Sequence, residues 1–408
     1  MTADGAPARA DLVIRHAEVI DGTGTGRWRA DLAVSGDRIV AIGDLGRTVG
    51  DAEIDAAGLV LAPGFIDVHT HDDRALVEAP DMAPKVSQGV TTVVAGNCGI
   101  SLAPLCLRDW PPPPMDLLGD QAHYRFDAFG AFADELDRRP PATNAALLVG
   151  HTTLRHRHMT GGLDRPATDR ELAAMEGAVD EAMGQGAIGL STGLDYAEAV
   201  HAPAEEVAIL AAAAGRRGGL YASHTRNYFE AVEAALDEAI DIARAADLPL
   251  VLSHHQVSGQ ANFGRSERTL DRIARAMRVQ DVGLDAYPYA ASSKTLDPAR
   301  CRPGVRVLVT WSEPHPETVG REIAAIAADW GVEPAAAAER LLPAGAVYFQ
   351  LDEADVRRIL AFPETMIGSD GLPYDRHPHP GSGARSPGCS ATMSARSACS
   401  PWRRRCAA

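Results

Sequence analysis

Lysine is almost missing from this 408-residue chain, which has only Lys85 and Lys294. Positive charge as a whole is short, with 39 Lys and Arg against 55 Asp and Glu and a net charge of −16. That balance argues against a nucleic-acid partner or an anionic membrane surface, both of which reward clustered cations. No run approaches the ~20 apolar residues of a membrane span, and the N-terminus has no charged start leading into an apolar core. A cytoplasmic location is expected. Cysteine is also thin, at six. Six thiols in a chain this long are too few for a disulfide scaffold, so a cysteine in a chemically busy context reads as a metal ligand. With 46% hydrophobic and 23% charged residues, the composition is that of a globular protein with room for one large core and a smaller satellite domain.

Short apolar runs alternate with helical stretches along most of the sequence, as in a parallel sheet wrapped by helices. Eight runs turn polar at their C-terminal ends: LAPGFIDVHTH, VTTVVAGNCG, NAALLVGHTT, GAIGLSTGLD, GLYASHTR, LPLVLSHH, VGLDAYPY and TMIGSDG. Eight is the number that closes a (β/α)8 TIM-like barrel, and barrels keep their chemistry at those ends. Helices are expected between them, for example over 169–184 and 228–245, where apolar residues recur at spacings of three and four.

Three segments fall outside that alternation. Residues 10–62 read as short strands with turn signals, which predicts a small N-terminal β-sandwich-type domain over 1–62 ahead of a barrel over 63–380. Residues 297–362 are too long for a loop and contain VRVLVTW, a helical stretch over 317–329 and AVYFQL. They predict an α/β insertion after the seventh strand, placed as a lid on the barrel mouth. From Arg376 to Ala408 there is no Asp, Glu, Leu, Ile or Val, while Arg, Ser, Pro and half of the cysteines accumulate. Such a composition buries no core, so a disordered tail is expected over 381–408. The abruptness of the change points to a truncation or shift of reading frame near Pro380.

The polar strand ends carry the candidate chemistry. His69 and His71 follow the first run, Cys98 the second, His224 the fifth, His254 and His255 the sixth, and Asp370 the eighth. Nitrogen, sulfur and oxygen donors in that mixture suit Zn²⁺, and a thiolate can bridge two ions. A lone barrel histidine is more often packed than ligating, but donors on five strand ends weigh against five coincidences. His255 points opposite to His254 by strand alternation and reads as structural. His151 and Asp195 read as supporting or rim groups. Cys106 and Cys301 have no supporting context.

The ordered motifs PGFIDVHTHDD, GVTTVVAGNCGIS, GHTTLR, GAIGLSTGLDY, YASHTRNY, LSHHQVSG, DAYPYAASS and IGSDGLPYDRHPHP resemble the amidohydrolase superfamily, and within it the D-aminoacylase (N-acyl-D-amino-acid deacylase) family. The resemblance runs from about Asp11 to Pro380. It implies hydrolysis of N-acyl-D-amino acids, with Cys98, His224 and His254 holding one zinc ion tightly, His69 and His71 completing a second and weaker site, and Asp370 as catalytic acid/base. Hydantoinases and dihydroorotases share the fold but bridge two metals with a carboxylated lysine after the fourth strand. Neither Lys85 nor Lys294 lies near 186–195, so any bridging falls to Cys98.

Zinc chemistry of this kind polarises the amide carbonyl and lowers the pKa of water toward roughly 7, while Asp370 passes a proton to the leaving amine. The substrate carboxylate calls for a cation with hydroxyl donors beside it. The family's lysine two residues after the sixth-strand histidine is Gln256 here, and Lys294 stands as a replacement or as a solvated loop residue. The resemblance also implies substrate contacts for Tyr196, Tyr287 and Ser293; apart from it, Arg155 and Arg376 are further candidates for holding the carboxylate. The expected partner is a small N-acyl amino acid, with no nucleic acid or membrane and an open oligomeric state. Two alternatives stay open: an inactive or unstable truncated remnant of such an enzyme, and an amidohydrolase acting on a different linear or cyclic amide.

Overall fold

Apolar and β-branched runs bounded by glycine, proline and aspartate turns set the strands, and a computed structural model describes residues 7–302 and 305–374. The described chain forms two compact units that divide between Phe65 and Ile66. In the first unit, β1 (Arg9–Val19), β2 (Trp28–Ser35), β3 (Arg38–Gly43), β4 (Val49–Asp55) and β5 (Val60–Leu61) form one five-stranded sheet. The order is β3-β2-β1-β4, with β5 alongside β1. Two small buried clusters, around Val13 and Ala33 and around Ala17 and Val19, form its core.

The second unit holds an eight-stranded sheet. Its members are β6 (Phe65–Asp67), β7 (Val90–Ala95) and, after a short ribbon of β8 (Leu105–Cys106) and β9 (Arg125–Phe126), β10 (Asn144–Gly150), β11 (Gly189–Gly193), β12 (Leu220–His224), β13 (Leu250–Leu252) and β14 (Val282–Ala286). The last strand, β18 (Thr365–Ile367), follows β15 (Ser292–Thr295), β16 (Arg306–Ser312) and β17 (Ala344–Phe349), which make a separate three-stranded sheet. Within the eight-stranded sheet the ladders from β7 round to β18 are parallel. β11 and β13 are buried along their whole length, as strands covered by helices on one side and filled by barrel side chains on the other must be. The seam between β6 and β18 closes on few backbone bonds, among them Asp370 N to His69 O at 2.8 Å and His71 N to Gly371 O at 3.2 Å.

Lys85 reinforces that seam. Its ammonium donates to Asp67 Oδ2 at 2.7 Å and Ser369 Oγ at 3.0 Å, and lies 3.2 Å from Asp72 Oδ2. Asp67 Oδ1 accepts in turn from Ser369 N at 2.8 Å. Burial alone would lower the Lys85 pKa, but Asp67 and Asp72 outweigh it and raise the value, keeping the ammonium charged.

The helices α1 (Asp73–Glu78), α2 (Ala83–Val86), α3 (Phe129–Arg138), α4 (His151–His158), α5 (Asp169–Gly184), α6 (Ala204–Gly215), α7 (Val232–Ala245) and α8 (Ser266–Ala276) fill the connections. Thr168 and Glu171 form a capping box that starts α5 at the expected residue, and Met175, Val179 and Ala182 turn its apolar stripe inward. The seventh connection carries the extra sheet together with α9 (Ile323–Trp330) and α10 (Pro334–Leu341), closed around Val309, Ile326, Leu341 and Tyr348.

Three boundaries differ from the sequence reading. The helix expected over 317–329 begins at Ile323, because Pro316–Thr318 forms a 3-10 turn and Gly320 at φ 78° breaks the chain direction. The extra layer starts earlier than 297, at Ser292, and α11 (Glu353–Ala361) is a barrel helix rather than part of it. Asp352 caps α11 by accepting from Ala354 N and Asp355 N, and Arg358 Nη1 ties it to α8 through Ser266 Oγ at 2.6 Å. The helix expected from 228 begins at Val232, after a turn in which the Asn227 side chain accepts from Phe229 N and Ala231 N. The expected tail over 381–408, and Arg376, lie outside the described residues.

Candidate functional site

The loop after β7 explains how a cysteine reaches the barrel mouth. In Gly96-Asn97-Cys98-Gly99, three of four residues have positive φ, at 79°, 55° and 76°, and Asn97 Nδ2 holds the turn by donating to Val94 O at 2.9 Å. Gly99 is required there, since a Cβ would come within 2.7 Å of Gly193 N. His254 at φ 33° and Asp370 at φ 49° are also left-handed. Non-glycine residues held in that region concentrate where surrounding structure enforces a function.

The donors converge. Cys98 Sγ lies 3.3 Å from both His69 Nε2 and His254 Nε2, and His254 Nε2 is 3.0 Å from His224 Nδ1. Asp370 Oδ1 is 3.3 Å from His71 Nε2 and 3.6 Å from His69 Nε2. Two donor groups result, His69, His71, Cys98 and Asp370 in one and Cys98, His224 and His254 in the other, with all ligand atoms of each group within 4.8 Å. They share the Cys98 sulfur. Burial alone would push that thiol up, but the imidazoles of His69 and His254 outweigh it and hold Cys98 well below its ordinary value, the direction that favours thiolate. Asp370 is likewise kept ionised against its burial, by His71 and the neighbouring imidazoles. Buried imidazole, thiolate and carboxylate atoms at this density match the ligand chemistry of Zn²⁺.

Groups behind the donors fix their orientation. The Asp285 carboxylate sits 3.3 Å from His69 Nδ1 and accepts from His254 N at 2.9 Å, and Tyr228 OH lies 3.1 Å from His254 Nδ1. Metal-binding imidazoles are characteristically held through the ring nitrogen that faces away from the ion. On the far side of His224, Nε2 faces Asp195 Oδ2 at 3.8 Å. That carboxylate accepts from Lys294 Nζ at 2.9 Å and Arg300 Nη2 at 2.7 Å; burial would raise its pKa, but His224, Lys294 and Arg300 outweigh it and hold Asp195 well below the usual carboxylate range.

A cavity opens beside the donors. Tyr196, Gln256, Tyr287, Ser293 and Lys294 all line it, together with His71, Cys98, His224, His254 and Asp370. His69 lies beneath it, fully buried. Tyr287 OH donates to Gln256 Oε1 at 2.9 Å, so the residue replacing the family lysine forms part of the wall. Arg155 is elsewhere: fully buried, it binds Glu206 and the carbonyls of Glu198, Leu163 and Arg165. It stands one helical turn from His151, whose Nε2 meets the same Glu206 at 2.9 Å. His255 turns away from the donors to Thr269 Oγ1 at 2.9 Å. The sequence reading missed Arg300 and Gln350, both in the cavity wall, because they lie in the stretch read as the insertion.

A parallel barrel with histidine, cysteine and aspartate donors gathered at its mouth defines a hydrolase barrel with a metal-ligand centre. Residues 52–285 match the model of the family described as Amidohydrolase family. The chain is 52% identical to a D-aminoacylase of Alcaligenes xylosoxydans xylosoxydans over 91% of its own length and 76% of the relative's. It is 50% identical to an N-acyl-D-aspartate deacylase of the same organism, over 93% and 76% of the two lengths. Among solved structures, a D-aminoacylase superimposes with a TM-score of 0.89 at 50% identity, covering 92% of this chain and 78% of that one. An N-acyl-D-glutamate deacylase from Bordetella bronchiseptica, solved with zinc and a phosphonate mimic of the tetrahedral intermediate, gives 0.88 at 44% identity over 92% and 79%. The chain therefore belongs to the amidohydrolase family, in its D-aminoacylase branch, whose members are hydrolases of carbon–nitrogen bonds other than peptide bonds.

Proposed function

We propose that this protein hydrolyses the amide bond of N-acyl-D-amino acids to a carboxylate and a free D-amino acid, using zinc. The observation that carries the reading is the pair of donor groups sharing Cys98 beside a cavity that Lys294 and Arg300 also line. Cys98, His224 and His254 would hold the tighter ion, with His69 and His71 serving a second, weaker position. Zinc there supplies Lewis-acid polarisation of the acyl carbonyl and acidifies a water molecule.

The remaining steps belong to the chain. Asp370 takes the proton from the attacking water and returns it to the amine nitrogen as the carbon–nitrogen bond breaks, leaving carboxylate and amine. Asp285 and Tyr228 hold the His69 and His254 rings so that their other nitrogens face the Cys98 sulfur. Arg300 and Lys294 receive the substrate's α-carboxylate, with Tyr196, Gln256, Tyr287 and Ser293 completing the surrounding wall. The expected location is the cytoplasm.

The test is a hydrolysis screen of N-acetyl-D- and N-acetyl-L-amino acids, with the zinc-loaded protein and after chelation. Turnover confined to D-substrates and abolished by chelator supports the reading. Turnover of neither series by zinc-loaded protein that melts cooperatively would overturn it.

A further inference from the structure

The Cys98 sulfur stands equally far, 3.3 Å, from one histidine of each donor group, His69 through Nε2 and His254 through Nε2. Cys98 holds that place at φ 55°, a left-handed conformation that a residue with a side chain keeps only where its surroundings enforce it. The enforcing contact comes from two strands away in the sheet order β7-β10-β11. Ser191, in the middle of β11, donates its hydroxyl proton to Gly96 O at 2.5 Å and accepts from Gly99 N at 3.0 Å, so one side chain closes both ends of the turn that carries Cys98. A hydroxyl has one proton to give and lone pairs to receive with, and both functions are used here. Ser191 is fully buried and does not line the cavity.

The strands beneath leave the turn no other seat. A Cβ at Gly150 would fall 2.5 Å from Gly99 O, and one at Gly193 would fall 2.2 Å from Cys98 O. On the opposite side, Asp73 Oδ2 accepts from Gly96 N at 3.2 Å, and Asn97 Nδ2 donates to the carbonyl of Thr70, the residue between His69 and His71, at 3.4 Å.

Resting on the zinc reading above, we propose that Ser191 is a positioning residue: its hydroxyl fixes the Gly96–Gly99 turn so that one sulfur serves both donor groups, and metal loading depends on it. With alanine at 191, Gly96 O and Gly99 N, both in buried residues, lose this partner. The left-handed conformation at Cys98 then has less to hold it, and the backbone relaxes. A sulfur that shifts lengthens at least one of the two 3.3 Å distances. The groups are not equally tolerant of that. Without the sulfur, one keeps His69, His71 and Asp370, whereas the other keeps only His224 and His254.

Cobalt(II) is the probe, because its bond to a thiolate gives a near-ultraviolet charge-transfer band that imidazole and carboxylate ligands do not give. Metal-free native protein and variants are titrated with it, and affinity and band are read together. Ser191→Ala is expected to bind cobalt about 10–100-fold more weakly, with a smaller band per bound ion. Ser191→Thr, which keeps the hydroxyl, is expected to restore the band and most of the affinity. Ser312→Ala removes a different buried hydrogen bond, to Leu341 O at 2.7 Å, and is expected to lower the melting temperature while leaving both readings native. A Ser191→Ala protein that melts lower but keeps the native affinity and band overturns the inference, as does a Ser312→Ala protein that loses the band equally. If Ser191→Ala fails to fold, hydrogen exchange at the Gly99 amide of metal-free native protein decides. Slow exchange before any ion is bound supports the clamp, and fast exchange overturns it. A native protein with no sulfur-to-cobalt band overturns the zinc reading and this inference together, whereas a native band that Ser191→Ala leaves unchanged overturns this inference alone.

Discussion

Replacing Lys85 with methionine removes its ammonium from the barrel seam while keeping most of the side chain's volume. Asp67 and Asp72, whose side chains are 2% and 3% exposed, then face each other without a counter-charge. Breaking a buried pair by removing one partner costs about 3–5 kcal/mol, far more than deleting a surface salt bridge. At about 1.4 kcal/mol per tenfold, the ratio of folded to unfolded protein falls by roughly two to three and a half orders of magnitude. With a urea dependence of about 3 kcal/mol per molar, the midpoint drops by roughly 1–2 M. Burial already raises the Asp72 pKa, so this carboxylate takes up a proton early and the defect shrinks as pH is lowered toward 5. A triple variant in which Asp67 and Asp72 also become asparagine recovers more than half of the loss, because no unpaired charge remains. Activity falls alongside stability, since the same seam sets His69 against Asp370. Urea titration followed by circular dichroism is the assay. A Lys85→Met midpoint within about 0.3 M of the native value would refute the clamp, as would a triple variant no better than the single one.

Asp370→Asn is expected to retain the zinc bound through Cys98, His224 and His254 while kcat falls about 10²–10⁴-fold, the usual scale for a lost general base; parallel metal analysis and steady-state kinetics check both halves. Gly193→Ala would place a methyl 2.2 Å from Cys98 O and 2.7 Å from the Tyr196 ring, so zinc content and activity should both fall, by more than tenfold for activity. Burial would raise the Glu206 pKa, but His151, Ala167 N and Arg155 outweigh it and bring the value down to about 2. A depressed folded pKa means stability that is present above the unfolded value of about 4.3 and lost as pH falls from there toward 2. Thermal melts between pH 3 and 6 should show that decline, and Glu206→Gln should flatten it.

The eight strands and the donor residues were legible because both signals are local. Each strand is a short apolar run, and each donor stands within a few residues of its C-terminal end, so barrel topology alone collects them. His255 does turn away from the donors, but through the left-handed turn at His254 rather than by strand alternation, since β13 ends at Leu252. What stayed hidden depends on contacts between distant positions. Asp195 meets partners 99 and 105 residues away, and no pattern along the chain announces either pairing. Arg155 was weighed as a further candidate for the substrate carboxylate. The strand passes directly into α4 at His151, however, and the four-residue step puts both side chains on the helix face that meets Glu206. The insertion boundary was misjudged because a strand lining the cavity, β15, reads in sequence as a polar loop.

Both amines of the lysine side chains are spoken for inside the barrel unit, one locked at the seam and the other in the wall of the ligand cavity. Reagents that acylate or cross-link amines, ordinarily a means of decorating protein exteriors, would therefore meet Lys294 as their accessible side-chain target. Coupling the protein to an amine-reactive support would compete with occupancy of the pocket. Attachment through carboxylates would instead be shared among 55 Asp and Glu, of which Asp195 and Asp370 line the cavity.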